Sequence, residues 1–397
     1  MRYPLSSIIL FIALVFIGCF PARVLKYNIA DINDLNKFDA LEVANDSSAI
    51  FHFYDATNSG LYNPPSSIGT TDVKAFDQYL SKGNTVAFIV IRNDSILYEK
   101  YFDHYEEQVP IPSFSVSKSF VSALIGIAIN EGHIKSIDEP ISNYIPEFEH
   151  MNHITIAHVI DMQAGFVFGE NYFNPFAEVA KYYYGRDLNR FMKQLKAKEK
   201  KLGKFNYQSV NTQVLAEIIE RATGKSIAKY LEEKIWKPLQ MEYPASWSID
   251  DMGNVKAFCC INARSRDFAK LGRLYLNDGK WEGKQIVPKD WVDKSLYFDE
   301  EKNEFLYSNH WWHNVDEIEY SDTIQMNKLE TPYIIKKNKK GKIKSIIRPA
   351  GDTFARGVLG QYIYIHPEKN IIIVRLGKGL GYKPWSKLFR TIAEENS

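Results

Sequence analysis

The sequence predicts a mixed α/β (α+β) fold, in which strands from both ends of one domain form an antiparallel sheet flanked by helices. Runs of strand-forming residues occur at 85–102 and again at 361–376, whereas the segment between them carries mainly helical patterns. Strands separated by such a long insertion must come from the two ends of the domain. We therefore expect a helical lobe, inserted at about 150–280, between the two halves of one sheet.

The first strand pair lies at Thr85–Arg92 and Ser95–Phe102, two runs that are rich in β-branched and aromatic residues. Only Asn93 and Asp94 separate them. A two-residue connection of this composition favours a tight hairpin. These runs therefore predict two adjacent antiparallel strands.

The second strand pair lies at Gln361–Ile365 and Ile371–Leu376. The connecting sequence, His-Pro-Glu-Lys-Asn, contains Pro and Asn, which favour turns. We expect a second hairpin here, in the same sheet as the first.

A buried helix is predicted from Ser115 to Asn130. Beyond its first turn the segment is almost entirely apolar, and the Glu-Gly pair after it is typical of a helix end. Further helical patterns occur at Gln213–Thr223 and Asp267–Leu276, inside the expected lobe.

The chain divides into three predicted parts. Residues 1–23 form an export or anchoring segment, residues 24–84 a lead-in with loop signals, and residues 85–397 the folded domain. A chain of 397 residues that is 45% hydrophobic can bury a sizeable core. Lys and Arg total 49 against 48 for Asp and Glu. This balance argues against a nucleic-acid partner, because binding to a phosphate backbone relies on excess positive charge.

The N-terminal residues predict export from the cytoplasm. Arg2 precedes an apolar run from Ile8 to Phe20, which is typical of a signal segment. The run is shorter than the roughly 20 residues that span a membrane comfortably. Cys19 follows Gly18 in a sequence that resembles the lipidation site of bacterial lipoproteins. A cleaved signal, an uncleaved anchor and lipidation of Cys19 all stay open, and each predicts the cell envelope, with possible membrane attachment through this segment.

The remaining cysteines and the clustered histidines do not predict a metal site. Cys259 and Cys260 are adjacent, so they cannot join distant segments by a disulfide. His150, His153 and His158 do not have the His-Glu-x-x-His spacing of a zinc-binding helix. We expect no metal and no other cofactor.

Ser115 and Lys118 are the first candidate catalytic pair. Residues three positions apart lie on one face of a helix, so the hydroxyl and the amine can touch. Serine needs a base to become nucleophilic, and a buried lysine with a lowered pKa can serve as that base. Ser226 and Lys229 repeat the spacing at the start of an ordinary amphipathic helix, where Ser226 is expected to be an N-cap. An N-cap is also the alternative role for Ser115, but the apolar helix behind it favours catalysis.

Two later segments add candidate chemistry. Tyr207 is a candidate proton shuttle if its phenol lies beside Lys118, although most tyrosines are simply packed aromatics. Gly357 precedes a predicted strand, and glycine at a strand edge lets the backbone approach a ligand closely. A backbone N–H there and that of Ser115 would form an oxyanion hole. A β-bulge is the alternative explanation for the glycine.

Taken in order, these segments resemble the three motifs of the class C β-lactamase family, which includes D-alanyl-D-alanine peptidases and several esterases. The matching motifs are Ser115-x-x-Lys118, Tyr207-x-Ser209 and Ala355-Arg356-Gly357. The likeness covers about 85–390 and extends to Met162–Gly165 and Ala263–Gly272. Within the family it is strongest to the 6-aminohexanoate-dimer hydrolases and their esterase-like relatives, judged from Tyr-x-Ser, the Trp311-Trp312 pair and GQYIYIHPEKN.

The resemblance implies a β-lactamase/transpeptidase-like fold and a role for each motif residue. Ser115 would be the acylated nucleophile, and Lys118 and Tyr207 would be the general base and acid, in an order that stays open. The backbone N–H groups of Ser115 and Val358 would bind the oxyanion. Tyr172 stands at about the place of a second functional Tyr in the dimer hydrolases. Ser209, Arg356 and Gly357 belong to the matched motifs and are expected to bind substrate. Trp312 is a further candidate for lining the substrate pocket, with aromatic core packing as the alternative.

Two departures from the β-lactamase motifs bear on the substrate. The β-lactamases usually have Tyr-x-Asn and Lys-Thr-Gly, where this chain has Tyr207-x-Ser209 and Ala355-Arg356-Gly357. The Lys-Thr pair grips a carboxylate, so its loss argues against efficient β-lactamase activity. Arg356 could replace part of that charge, and Asn211 could supply the amide that Ser209 lacks.

The sequence therefore predicts a serine hydrolase that cleaves a small ester or amide through an acyl-enzyme on Ser115. The alternative, motivated by the altered third motif, is a non-catalytic envelope domain of the same fold that binds peptidoglycan fragments or a protein partner. The joint presence of Ser115, Lys118 and Tyr207 favours the enzyme.

Overall fold

The computed structural model describes residues 23, 24, 27, 29–69, 71–297, 306–321, 334–338, 340–379 and 384–397. The export segment predicted at 1–23, including Cys19, lies outside these residues except for Arg23. Within the described ranges, no helix combines the length and the apolar character needed to cross a membrane.

The secondary structure of the described residues alternates between helices and short or long strands. The α-helices are α1 (Val73–Lys82), α2 (Ser117–Asn130), α3 (Ile156–Ile160), α4 (Glu178–Tyr184), α5 (Leu188–Met192), α6 (Ser209–Thr223), α7 (Ile227–Leu231), α8 (Ser265–Leu276), α9 (Lys289–Leu296) and α10 (Trp385–Glu395). The strands are β1 (Ala40–Val43), β2 (Tyr54–Asp55), β3 (Thr85–Arg92), β4 (Ser95–Tyr101), β5 (Ile111–Pro112), β6 (Ala245–Ser248), β7 (Ile261–Ala263), β8 (Lys280–Trp281), β9 (Lys284–Gln285), β10 (Tyr307–Ser308), β11 (Trp311–Glu319), β12 (Ile334–Lys337), β13 (Ile343–Gly357), β14 (Gln361–His366) and β15 (Ile371–Gly377). Short 3-10 turns occur at Asp34–Asn36, Ser66–Ile68, Phe114–Val116, Ile141–Asn143, Pro146–Met151, Glu199–Lys201, Val358–Gly360 and Pro367–Lys369, and a π-helical turn at Glu232–Trp236.

The central sheet joins strands from both ends of the domain, which confirms the predicted fold class. Its order is β10-β11-β13-β14-β15-β3-β4-β2, and β12 pairs with β13. Strand β15 lies antiparallel to β3, so the C-terminal hairpin continues the N-terminal one. Asn93 and Asp94, with φ of 50° and 60°, form the connection between β3 and β4. Two successive positive φ angles are what a type I′ hairpin turn requires, and Asn and Asp tolerate them.

Both faces of the sheet are covered by helices. Phe88 and Val90 of β3 pack in a cluster with α1 and α10, whereas Ile89 and Ile91 face the larger core on the opposite side. Helix α8 packs on that second face through Gly272, where a Cβ would lie only 2.9 Å from Ile372. This double coverage explains why β3 is a nearly continuous hydrophobic run.

The predicted lead-in at 24–84 contains regular structure that loop signals did not indicate. Strand β1 pairs with β6 in a small second sheet of order β1-β6-β7-β5. Helix α1 is capped by Asp72, whose side chain accepts the N–H of Lys74 at 3.0 Å. Its Phe76 and Leu80 are fully buried. The N-cap and the spacing of Val73, Phe76 and Leu80 are helix signals that the Pro and Asn residues upstream of α1 obscured.

The buried helix predicted from Ser115 to Asn130 is present with a modified start. It begins as the 3-10 turn Phe114–Val116 and continues as α2, whose residues are buried as far as Ala128. Ser115 therefore lies at the tip of a helix that runs into the core.

Candidate active site

Ser115 lines a cavity of about 330 Å³ between the end of β13 and helix α4. Its hydroxyl oxygen accepts a hydrogen bond from the Lys118 amine at 3.0 Å. Phe114, immediately before it, has φ of 45°, a left-handed conformation that is costly for a non-glycine residue. Such local strain persists only where surrounding structure holds it, and it is concentrated at functional sites.

Lys118 is almost completely buried, with 1% of its surface exposed. Its amine donates to the Phe258 carbonyl at 2.6 Å and to the Ser209 hydroxyl at 3.3 Å. Burial lowers the pKa of Lys118 to about 7, and the negative charge of Glu170 opposes this fall. A large fraction of the amine is therefore neutral near neutral pH and able to accept a proton.

Tyr207 shares a hydrogen bond with Ser115, and its ring centroid lies 5.4 Å from the Lys118 amine. The sequence-predicted triplet is thus brought together. Burial raises the pKa of Tyr207 well above its ordinary value. The phenol therefore keeps its proton at neutral pH and is a donor rather than a base. Trp312 stacks on this ring at 5.7 Å and an angle of 29°, which fixes its orientation.

Ser209 and Tyr172 both donate hydrogen bonds to the carboxylate of Glu170, a residue that the sequence motifs did not indicate. Glu170 accepts hydrogen bonds from the Ser209 backbone N–H at 2.8 Å and from the Ser209 hydroxyl at 2.5 Å. The Tyr172 hydroxyl donates to the same carboxylate at 2.5 Å, with Tyr172 itself 43% exposed at the cavity. Glu170 stands two residues before Tyr172, but a lone acidic residue in a loop gives no sequence signal for such a role.

Gly357 lies close to the backbone of Ser115, the candidate nucleophile, and Val358 follows it in the chain. A Cβ on Gly357 would be 2.5 Å from the Ser113 carbonyl oxygen and 3.1 Å from the Ser115 nitrogen. Only glycine permits this approach. Val358 begins the next 3-10 turn, and Leu359 within that turn has φ of 64°. The backbone is therefore constrained both before and after Val358, whose N–H is one of the two predicted oxyanion donors.

Arg356 lies at the exposed rim of the cavity, and its guanidinium is 5.9 Å above the ring of Tyr362 on the paired strand β14. Strand alternation directs it to the face opposite Gly357. It still lies near enough to Tyr207 to lower the pKa of that phenol slightly. The Asn211 amide, a sequence candidate for the role of the missing motif Asn, donates instead to the Gln208 carbonyl at 3.1 Å.

His310 and Tyr307 form a buried polar pair next to Tyr207, and the sequence motifs did not indicate it. His310 contacts the Thr212 hydroxyl at 3.1 Å and the Tyr307 hydroxyl at 3.2 Å. Burial lowers the pKa of His310 to about 3, so the imidazole is neutral. The Tyr307 ring packs on Tyr207 at 6.0 Å and on Trp312 at 4.7 Å. This arrangement supports the phenol from the side opposite the cavity.

Cys259 and Cys260 form a disulfide with each other, so they join no distant segments. Cys259 lines the cavity directly after Phe258, whose carbonyl holds Lys118. Over the described ranges, no group of three or more His, Cys, Asp or Glu side chains is arranged to hold a metal ion.

Comparison with known proteins shows which family the chain resembles. The family model described as Beta-lactamase matches residues 74–251, a segment that includes Ser115, Lys118 and Tyr207. Over that segment the chain is similar to the β-lactamase family. The resemblance identified from its motifs, which extends beyond the matched segment, is confirmed.

The relatives of this β-lactamase-like chain include hydrolases. It is 26% identical over 330 residues to the 6-aminohexanoate-dimer hydrolase of Paenarthrobacter ureafaciens, covering 77% of this chain and 76% of that protein. A Staphylococcus aureus teichoic acid D-alanine hydrolase is 28% identical over 135 residues, covering 32% of this chain and 31% of the relative.

Solved structures share the fold. A Bacillus anthracis protein assigned as a 6-aminohexanoate-dimer hydrolase gives a TM-score of 0.72 at 25% identity, covering 93% of this chain and 97% of its own. FmtA from Staphylococcus aureus gives 0.56 at 15% identity, covering 85% and 92%, and shows the fold alone.

Proposed function

We propose that this β-lactamase relative is a serine hydrolase that cleaves a small ester or linear amide through an acyl-enzyme on Ser115. The observation that carries the proposal is the convergence on one hydroxyl: the Lys118 amine lies 3.0 Å from it and Tyr207 shares a hydrogen bond with it. The match to a 6-aminohexanoate-dimer hydrolase, named for an amide substrate, supports the same class of reaction.

The two pKa shifts support one order of proton transfers. Lys118, with a pKa of about 7, takes the proton from Ser115 as the serine oxygen attacks the substrate carbonyl. Tyr207, whose pKa is raised by burial, keeps its proton until the leaving group needs it. The backbone N–H groups of Ser115 and Val358 stabilise the oxyanion, where each donor contributes roughly 10²- to 10³-fold in rate.

The acyl-enzyme is released by the same groups. Once the leaving group has departed, the Lys118 ammonium passes a proton to the Tyr207 phenolate, which restores both groups. A water molecule then attacks the acyl carbonyl and loses a proton to the Lys118 amine, and the Ser115 oxygen takes that proton back as it leaves. Because the Lys-Thr carboxylate grip is missing, we expect esters and linear amides to be turned over faster than a chromogenic cephalosporin.

Labelling of the folded protein with a fluorophosphonate, together with p-nitrophenyl acetate turnover, tests the proposal. We expect covalent labelling and hydrolysis in the wild type and in Ser226→Ala, and the loss of both in Ser115→Ala. A folded wild type that is neither labelled nor active would overturn the proposal. Retained ligand binding in such a protein would instead support the non-catalytic envelope domain.

We further propose that the protein is exported to the cell envelope, on the apolar run at 8–20. Fractionation of cells that express the full chain tests this location. Recovery in the cytoplasmic fraction would refute it, and a Cys19→Ser variant that leaves the membrane fraction would identify lipidation as the anchor.

A further inference from the structure

One wall of the cavity beside Ser115 is apolar and comes partly from outside the family motifs. Val179 and Ala180 of α4 contribute to it, together with Ile29 and Ala30 of the lead-in. Ile29 is 54% exposed and lies at the rim, whereas Val179 and Ala180 are buried. A substrate group that enters the cavity therefore meets hydrocarbon on this side.

The cavity offers little to a charged substrate group. Among the described residues that line it, Arg356 alone carries a formal charge, and it lies at the rim over Tyr362. Lys118 is held by the Phe258 carbonyl and by the catalytic hydroxyl. A charged group placed against the apolar wall would lose its hydration without gaining a partner.

We infer that this wall binds an uncharged apolar portion of the substrate, an alkyl or aryl group next to the scissile ester or amide. The inference rests on the proposed hydrolase function and specifies its substrate class. A cavity of about 330 Å³ is at the small end of ligand pockets, which suits such a group. A 6-aminohexanoate dimer, by contrast, carries an ammonium and a carboxylate at its ends.

Two ester series test this inference on the full chain. In the first, the acyl group of p-nitrophenyl esters lengthens from acetate to butyrate and hexanoate, with the succinate monoester as the charged match to butyrate. In the second, the alcohol of acetate esters lengthens in the same steps. We expect kcat/KM to rise about four-fold per added methylene in at least one series. We expect the succinate ester to react at least ten-fold more slowly than butyrate. The inference fails if neither series rises or if succinate equals butyrate.

A matched pair of exposed variants locates the effect. Ile29→Asp places a carboxylate at the rim, and Leu61→Asp places one on a lead-in residue that is 52% exposed and not among the lining residues. Ile29→Asp should lower kcat/KM for the longest ester several-fold more than for acetate, whereas Leu61→Asp should change neither. Equal effects would contradict the inference. Fluorophosphonate labelling of Ser115 separates the two levels: unlabelled wild type refutes the hydrolase, and labelled protein without chain-length preference refutes only the apolar wall.

A second inference concerns Glu170 and depends on different contacts. The Ser209 hydroxyl donates to Glu170 at 2.5 Å, so its lone pair is directed toward the Lys118 amine, which donates to it at 3.3 Å. One hydroxyl therefore separates this carboxylate from the proposed base. We propose that Glu170 is a positioning residue, which orients Ser209 and keeps a negative charge near Lys118.

The other titratable groups around Lys118 do not supply that charge. Tyr207 keeps its proton because burial raises its pKa, and His310 is neutral because burial lowers its pKa to about 3. Arg356 lies at the rim and is positive. Glu170 is the carboxylate whose charge raises the pKa of Lys118.

The pH dependence of kcat/KM in Glu170→Gln tests this role. Loss of the negative charge should let the pKa of Lys118 fall, so the acid limb of the profile should move to lower pH. Glu178→Gln is the control, because Glu178 supports the same loop by accepting the Gly169 N–H at 2.9 Å. We expect the control to keep the wild-type midpoint. An unchanged or higher midpoint in Glu170→Gln, or the same shift in both variants, would refute the proposal. Labelling of Ser115 in both variants keeps this outcome distinct from failure of the hydrolase itself.

Discussion

The chain contains the pattern Ser-x-x-Lys twice, and the two copies have different environments. Ser115 and Lys118 stand at the start of a helix that runs into the core, and Lys118 is 1% exposed. Ser226 and Lys229 stand at the start of α7, where the Lys229 side chain is 51% exposed. The two copies therefore share the Ser-x-x-Lys spacing, but the first lysine is buried and the second is exposed.

The environments give the two lysines opposite chemistry. Burial lowers the pKa of Lys118 to about 7, whereas a hydrogen bond to Glu232 raises the pKa of Lys229. The Ser115 hydroxyl accepts a hydrogen bond from the side-chain amine of Lys118. The Ser226 hydroxyl instead accepts one from the backbone N–H of Lys229, at 3.3 Å, and so caps the helix. The comparison shows that burial, and not the motif, separates a candidate base from an ordinary surface cation.

The strongest test of this contrast removes each amine in turn. Lys118→Met should lower ester turnover by about a thousand-fold, because general-base assistance contributes roughly 10²- to 10⁴-fold. Lys229→Met should leave turnover within two-fold of the wild type, roughly the scatter of a surface change. Similar losses in both, measured as kcat/KM with p-nitrophenyl acetate, would mean that the comparison is wrong.

The pH dependence of turnover sharpens the same contrast. If neutral Lys118 is the base, kcat/KM should rise about ten-fold per pH unit below its pKa of about 7 and level off above it. The profile of Lys229→Met should have the same midpoint. A profile that is flat from pH 5 to 8 would exclude Lys118 as the base.

The pH dependence of the free energy of unfolding tests the burial of the Lys118 amine independently of activity. The pKa of Lys118 is about 7 in the folded protein and near 10.5 when unfolded. Between these values the unfolded state binds more protons, so this residue makes the free energy of unfolding rise by about 1.4 kcal/mol per pH unit. Lys118→Met removes that slope. Its stability relative to the wild type should therefore be greatest at or below pH 7 and should decline toward pH 10.

Urea denaturation at several pH values measures this difference. Lys256, whose pKa burial also lowers to about 7, contributes equally to both proteins and cancels in the comparison. Lys229→Met should show no decline of this kind, and a pH-independent difference for Lys118→Met would contradict the buried-amine assignment.

The smallest expected effect concerns the two serines. Ser226→Ala removes an N-cap and should lower the free energy of unfolding by about 1 kcal/mol. Ser115→Ala removes no cap, because the 3-10 turn and α2 have no side-chain cap from it. Thermal unfolding of both variants distinguishes them, and an equal loss of stability would show that Ser115 is also structural.

Much of the scaffold was predictable from local patterns. The hairpin around Asn93 and Asp94 followed from the turn chemistry and the flanking strand residues. Helix α1 was overlooked because its short apolar stripe follows a segment rich in Pro and Asn. The role of Glu170 was not predictable, because it depends on contacts with Ser209 and Tyr172. The sequence does not indicate the path of the loop that makes these contacts.

By itself the sequence determined the periodicity of the elements, the pairing of hairpin strands and the order of the three motifs along the chain. Hydrophobic period and turn chemistry are local properties, so they are readable without coordinates. The tertiary structure decided which of the two Ser-x-x-Lys segments is buried. It also placed Arg356 over Tyr362 and residues of the lead-in along the cavity. Desolvation and long-range contacts depend on where distant segments pack, and no local pattern encodes that placement.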